Sequence, residues 1–110
     1  MIRVFLAAAF VGLPAAVGAM PITATYTCER GVEIPVVYAE SGGDSIAVLH
    51  VEGRMITLVR ETSGSGARYG WPSDGSHYVW WSKGDGATLL WHDGTVGEEV
   101  TLFAECVTKP

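Results

Sequence analysis

The chain is short of the features that mark an enzyme, a metal protein or a nucleic-acid binder. Of 110 residues only seven are Lys or Arg against twelve Asp or Glu, a net charge of −5. Nucleic acid and anionic membrane surfaces are poor partners for such a chain, whereas a basic protein would be steered toward it. Cysteine is limited to Cys28 and Cys106, with no CxxC spacing, so nothing supports a redox or zinc pair. The three histidines, His50, His77 and His92, lack zinc-ligand spacing. No long helical period is present, and the one long apolar run, residues 4–17, is shorter than the roughly 20 residues a membrane-spanning helix needs. Neither a metal nor a cofactor is expected.

That apolar run follows Arg3 and ends in small residues at Val17-Gly18-Ala19, the order of a secretory signal peptide. Residues 1–19 are therefore expected to be a leader, and residues 20–110 a single exported domain. An uncleaved anchor is the alternative. A lipid-anchored product would need a cysteine at the cleavage point, and none is there, so no stable membrane anchor is expected in the mature form. Loss of Arg3 leaves six basic and twelve acidic residues, a net charge of −6. Export favours a Cys28–Cys106 disulfide. Closing a loop of that length would contribute roughly 4.5 kcal/mol in the chain-entropy picture, a large share of the stability of so small a domain.

What fills the mature chain is a series of short apolar runs separated by Gly, Asp and Ser clusters. Residues 22–28 alternate Tyr26 and Cys28 against Thr23, Thr25 and Thr27, which suits a strand. Residues 32–38 place Val32, Ile34, Val36 and Tyr38 on one face; Pro35 implies an edge or a bulge. Residues 45–51 and 54–61 flank Glu52-Gly53, a tight hairpin signal. Met55 and Val59 oppose Ile56 and Leu58, which leaves the facing of that strand open. Further strands are expected over 67–71, 76–82 and 87–92. The last is expected from Glu99-Val100 to Val107, with Val100, Leu102, Ala104 and Cys106 on one face. Eight short strands with short connections pair antiparallel. Cysteines in the first and last strands would fasten one edge to the other, which favours an all-β, closed antiparallel barrel over an open sandwich.

Catalytic constellations are weak. Ser65, His77 and Asp74 or Asp85 can be named as a triad, but no strand-turn-helix elbow surrounds Ser65. Acidic residues fall mostly in turns, not in a pattern that suggests a two-carboxylate cleft. The four tryptophans, Trp71, Trp80, Trp81 and Trp91, fit a core, an interface or a sugar platform. Trp80 and Trp81, adjacent in one strand, must face opposite sides. Ser65 sits between Gly64 and Gly66, which permit a sharp turn and leave the hydroxyl unshielded.

In order along the chain, Tyr26-Thr27-Cys28-Glu29, Val36 with Tyr38, Ala47 with Leu49, Ser63-Gly64-Ser65-Gly66-Ala67-Arg68-Tyr69, Trp81-Ser82-Lys83-Gly84, Ala87 with Leu89, and Cys106 resemble the bacterial C-type lysozyme inhibitor family, membrane-bound and periplasmic. The resemblance implies an eight-stranded barrel with a Cys28–Cys106 bridge and no enzymatic activity. It implies a C-type lysozyme as partner, with two loops entering that enzyme's cleft. Ser65 and Lys83 would reach the catalytic carboxylates, supported by Gly66, Ala67, Arg68, Tyr69 and Gly84. Without a lipidation cysteine the chain resembles the soluble periplasmic branch. The Tyr69–Tyr78 connection, with Trp71 and Pro72, is longer than the resemblance leads one to expect. A glycan- or small-ligand-binding barrel of the envelope is the alternative reading.

Overall fold

A computed structural model describes residues 20–108; the expected leader, residues 1–19, lies outside the described residues. Eight strands follow one another: β1 (Ile22–Thr27), β2 (Glu33–Ser41), β3 (Asp44–Val51), β4 (Arg54–Glu61), β5 (Ala67–Gly70), β6 (His77–Lys83), β7 (Gly86–Asp93) and β8 (Glu98–Thr108). Each pairs antiparallel with the next, and β8 returns to β1, so the sheet closes as a barrel. Closure gives every strand a neighbour on both sides. Cys28 and Cys106 form a disulfide beside the β1–β8 seam. This joins the two ends of the sheet where, among the described residues, two pairs, Tyr26–Thr108 and Thr27–Val107, hold the ladder.

The interior is built from alternate strand positions. Ile34 and Val36 from β2, Ala47 and Leu49 from β3, Leu58 from β4, Trp80 from β6, Leu89 from β7 and Cys106 from β8 form its fully enclosed part. Trp80 is its largest member. Its indole N–H donates to Tyr38 Oη at 2.8 Å, which shares a second bond of 2.8 Å with Tyr26 Oη. The Tyr26 ring meets Trp80 edge-on at 5.0 Å. The buried polar atoms thus satisfy one another, which avoids the desolvation cost of an unpaired group.

The β3–β4 hairpin matches its sequence signal: Glu52 and Gly53 have φ of 53° and 80°, as a primed turn requires. The ambiguous β4 resolves with Leu58 buried and Met55 67% exposed. Pro35 lies one residue past the end of the β2–β3 ladder, which begins at Val36–Leu49, and pairs only with Thr25 of β1. The absent donor is therefore tolerated without opening the barrel.

The last strand departs from simple alternation. The inward Ala87 and Leu89 pair with Cys106 and Phe103, three residues apart, because the register slips once between them, and it slips again between Leu89 and Leu90. Glu105, with φ of 53°, lies in this irregular stretch. Each extra residue in β8 reverses which side chains face inward. Phe103 accordingly packs on the core and Val100 is 54% exposed, so Val100, Leu102, Ala104 and Cys106 do not share one face.

Candidate functional site

In an antiparallel meander, alternate connections emerge at the same end. The β4–β5 loop (residues 62–66) and the β6–β7 turn (residues 84–85) are such a pair. They carry Ser65 and Gly84, with Lys83 as the last residue of β6. Ser65, Gly66, Lys83 and Gly84 are all exposed.

The two loops are locked together through Trp81. Its indole N–H donates to the Ser65 carbonyl at 2.9 Å, and the Lys83 ammonium lies 4.8 Å from the centre of its ring. One side chain therefore holds the serine's backbone and supports the lysine's charge. Ser63 Oγ also donates to the carbonyls of Ser65 and Gly66, at 2.9 and 3.0 Å. These bonds use the backbone of the loop. Among the described residues, Ser65 Oγ takes no intramolecular partner and Lys83 forms no ion pair.

Gly66 makes the close approach possible. Its φ is 69°, and a Cβ there would lie 2.5 Å from both Lys83 Cγ and the Ser82 carbonyl oxygen. A side chain at this position would push the serine loop off the lysine strand. Ala67 begins β5 opposite Ser82 and is half-buried.

Arg68 and Tyr69 do different work. Arg68 pairs across β5–β6 with Trp81 and lies over its ring at 5.5 Å. Its guanidinium is bound by the carboxylates of Glu61 and Glu99. Burial disfavours its charge, but the hydrogen bonds to Glu99 and Glu61 outweigh this and raise its pKa. For Glu99, burial likewise opposes ionisation, and the bond to Arg68, with His92 behind it, holds the carboxyl below its usual range. This plate, with Glu61 from β4, Arg68 from β5 and Glu99 from β8, holds the guanidinium over Trp81. Tyr69 faces the interior, 6% exposed, against the Tyr38 ring at 5.6 Å. Burial raises its pKa despite the nearby Arg60 guanidinium. It supports the root of the loop and is not presented on the rim.

Sequence reasoning grouped Ser65, Lys83 and their flanking residues but did not single out Trp81, Glu61 or Glu99. The first had a signal: with Trp80 inward, Trp81 had to stand outside, one residue from Ser82-Lys83. The two glutamates, 38 positions apart, had none.

Comparison with known proteins bears on what this rim is. A family model described as "Membrane-bound lysozyme-inhibitor of c-type lysozyme" matches residues 26–96. A curated relative from Cupriavidus necator, named membrane-bound lysozyme inhibitor of C-type lysozyme, is 35% identical over 86 residues, 77% of this chain and 64% of that protein. The chain thus spans less than two thirds of that relative's length. Among solved structures, Pseudomonas aeruginosa MliC in complex with hen egg white lysozyme is similar with a TM-score of 0.62 and 26% identity, over 94% of this chain and 97% of that one. The periplasmic lysozyme inhibitor of C-type lysozyme from Salmonella typhimurium shares the fold, with a TM-score of 0.67 at 22% identity, over 83% of this chain and all of that one. With the family match covering most of the barrel and both rim loops, this chain belongs to the membrane-bound lysozyme-inhibitor of c-type lysozyme family.

Proposed function

We propose that this chain is a protein inhibitor of C-type lysozyme and that it blocks the enzyme by inserting Ser65 and Lys83 into the catalytic cleft. The observation that carries the reading is the Trp81 bridge, which brings the Ser65 backbone and the Lys83 ammonium together at one rim, where among the described residues the Ser65 hydroxyl has no partner and Lys83 no ion pair. The family membership and the lysozyme complex of the Pseudomonas relative support it.

The chemistry is suited to the target. A lysozyme needs one carboxyl protonated as general acid and a second ionised beside it. The Lys83 ammonium pairs with the ionised group and, as a nearby positive charge, lowers the pKa of the acid. The Ser65 hydroxyl can donate to a carboxylate and accept from a carboxylic acid. Both occupy the space of the sugar. Nothing presents a scissile bond, so inhibition is reversible and competitive. The excess of acidic residues speeds encounter with a basic enzyme, and added salt slows it. We place the protein in the periplasm as a soluble exported form. The disulfide and the apolar stretch at residues 4–17 support this placement.

The test is a cell-lysis assay with purified protein, hen egg white lysozyme as target and a goose-type lysozyme as specificity control. The Ser65→Ala/Lys83→Ala double variant is expected to lose inhibition by about a hundredfold or more, with thermal unfolding unchanged. Full inhibition by that variant would end the Ser/Lys account.

A further inference from the structure

At the end of the barrel opposite Ser65 and Lys83, a cavity of about 370 Å³ opens between the starts of β4 and β6 and the end of β7. Its walls combine aromatic rings with aliphatic side chains of β4, Ile56 and Leu58 among them. Tyr78 and Trp91 pack edge to face at 5.0 Å, and Trp71, 46% exposed, stands at its margin. Arg54 and His77 bring polar groups to the same opening.

Trp71 is not on a loose loop. The Ser73 N–H donates to its carbonyl at 2.8 Å, and Ser76 Oγ accepts from the Gly94 N–H at 2.9 Å, tying the β5–β6 connection to the β7–β8 turn. Gly94 sits so close that a Cβ there would lie 2.4 Å from the Asp74 carbonyl oxygen. The backbone that carries this exposed indole is thus tied down, which lessens the ordering of the loop that a ligand would have to impose.

The charges at this opening are uneven. Arg54 forms no ion pair among the described residues. The neighbouring Glu52 carboxylate is engaged by the Tyr78 hydroxyl. A cation with no ion-pair partner among the described residues, in a chain with an acidic excess, is complementary to a ligand carboxylate.

We propose that this cavity binds an acidic saccharide, with one pyranose ring stacked on Trp71 and a carboxylate substituent on Arg54. The axial C–H bonds of a β-linked pyranose form an apolar face that matches an indole, while its rim of hydroxyls calls for polar groups at the edge, as His77 supplies. The volume suits one or two rings, and a mostly apolar lining with a few convergent polar groups is the usual make-up of a small-ligand site. The proposal is independent of lysozyme inhibition, since the two sites share no residue and lie at opposite ends.

The experiment is a calorimetric titration of the full protein with the N-acetylglucosaminyl–N-acetylmuramic acid disaccharide and, separately, with neutral N,N′-diacetylchitobiose. The acidic probe is expected to bind more tightly. Trp71→Ala should weaken both probes by about tenfold or more. Arg54→Gln should erase the preference for the acidic one and leave the neutral one unchanged. Lysozyme inhibition should be unaffected in both variants, which also reports that they are folded. Failure of wild-type protein to bind either probe overturns the proposal, as does an unaltered affinity in Trp71→Ala. Self-association in sedimentation that Trp71→Ala abolishes would assign the surface to a second copy of the chain instead.

Discussion

The two ends of the barrel solve opposite problems with the same kind of residue. At the Ser65–Lys83 end, Trp81 lies outside the sheet and supports other groups: its N–H holds a backbone carbonyl and its face carries an ammonium. The groups it presents are small, polar and protruding. At the far end, Trp91 and Tyr78 line a hollow with Trp71 at its lip. A protruding hydroxyl and ammonium suit insertion into another protein's cleft. A hollow of rings suits receiving something. The difference shows that aromatic content by itself does not mark a ligand site; the side of the sheet each ring occupies decides its use.

The comparison assumes that one rigid cylinder separates the ends, and the harshest way to break it is to damage that cylinder. Trp80 is fully buried at its centre. Trp80→Ala should cost about 3–5 kcal/mol through lost contacts and a residual cavity, and it orphans Tyr38 Oη from its indole donor. Chemical denaturation measures the loss. Inhibition and saccharide binding should fall together in this variant, unlike any substitution at either end. Separate loss of one would mean that the ends are not supported in common.

Lys83→Ala sharpens the contrast from one side. If the ammonium meets an enzyme carboxylate inside a closed cleft, its removal leaves that charge unpaired and costs about 2–5 kcal/mol of binding. Inhibition assays should show this loss with no change in the affinity of the far cavity. Because Lys83 is exposed in the free protein, its removal should leave thermal stability nearly unchanged. A smaller effect, with a salt dependence equal to that of wild type, would place Lys83 at the edge of the interface.

Trp81→Phe isolates the bridge. The ring that supports Lys83 remains, while the N–H to the Ser65 carbonyl is lost. One neutral hydrogen bond is worth about 1 kcal/mol, so inhibition should weaken about fivefold. The expected signature is faster amide exchange across residues 63–66. Unchanged exchange there would show that Ser63 alone holds the loop.

Much of this was legible in the sequence, and the reasons are physical. Period-two alternation and Gly-Asp turns placed seven of the eight strands within a residue, and β2 to within three at its end, because strands of a small barrel have one wet and one dry face. Only β8 misled, since two register slips leave no trace in residue type. At the rim, Gly64-Ser65-Gly66 announced an exposed serine, and Gly66 proved to be where a Cβ would not fit against Lys83. The Glu61–Arg68–Glu99 plate was invisible, because an ion pair between residues 31 positions apart is created by the lateral order of β5 to β8 in the sheet and by no local pattern. The Trp71 platform was half legible: the long Tyr69–Tyr78 connection stood out, but not its attachment to Gly94.

That plate yields the mildest test. Arg68 holds the Glu99 carboxyl below its ordinary pKa against the opposing effect of burial. A carboxyl whose folded pKa is depressed contributes stability that is complete above its unfolded pKa of about 4.3 and is lost as pH falls through the folded value. Glu99→Gln should therefore be less stable than wild type at neutral pH, by about 1 kcal/mol or less for a partly exposed pair. At acid pH, below the folded value, the two should converge. His92 and Glu61 face the same guanidinium or carboxylate, so the convergence should be read against His92→Gln, which tests whether the imidazole contributes to the acid limb. Parallel denaturation curves at both pH values would locate the acid sensitivity elsewhere. If the plate steadies Trp81, Glu99→Gln should also weaken inhibition slightly.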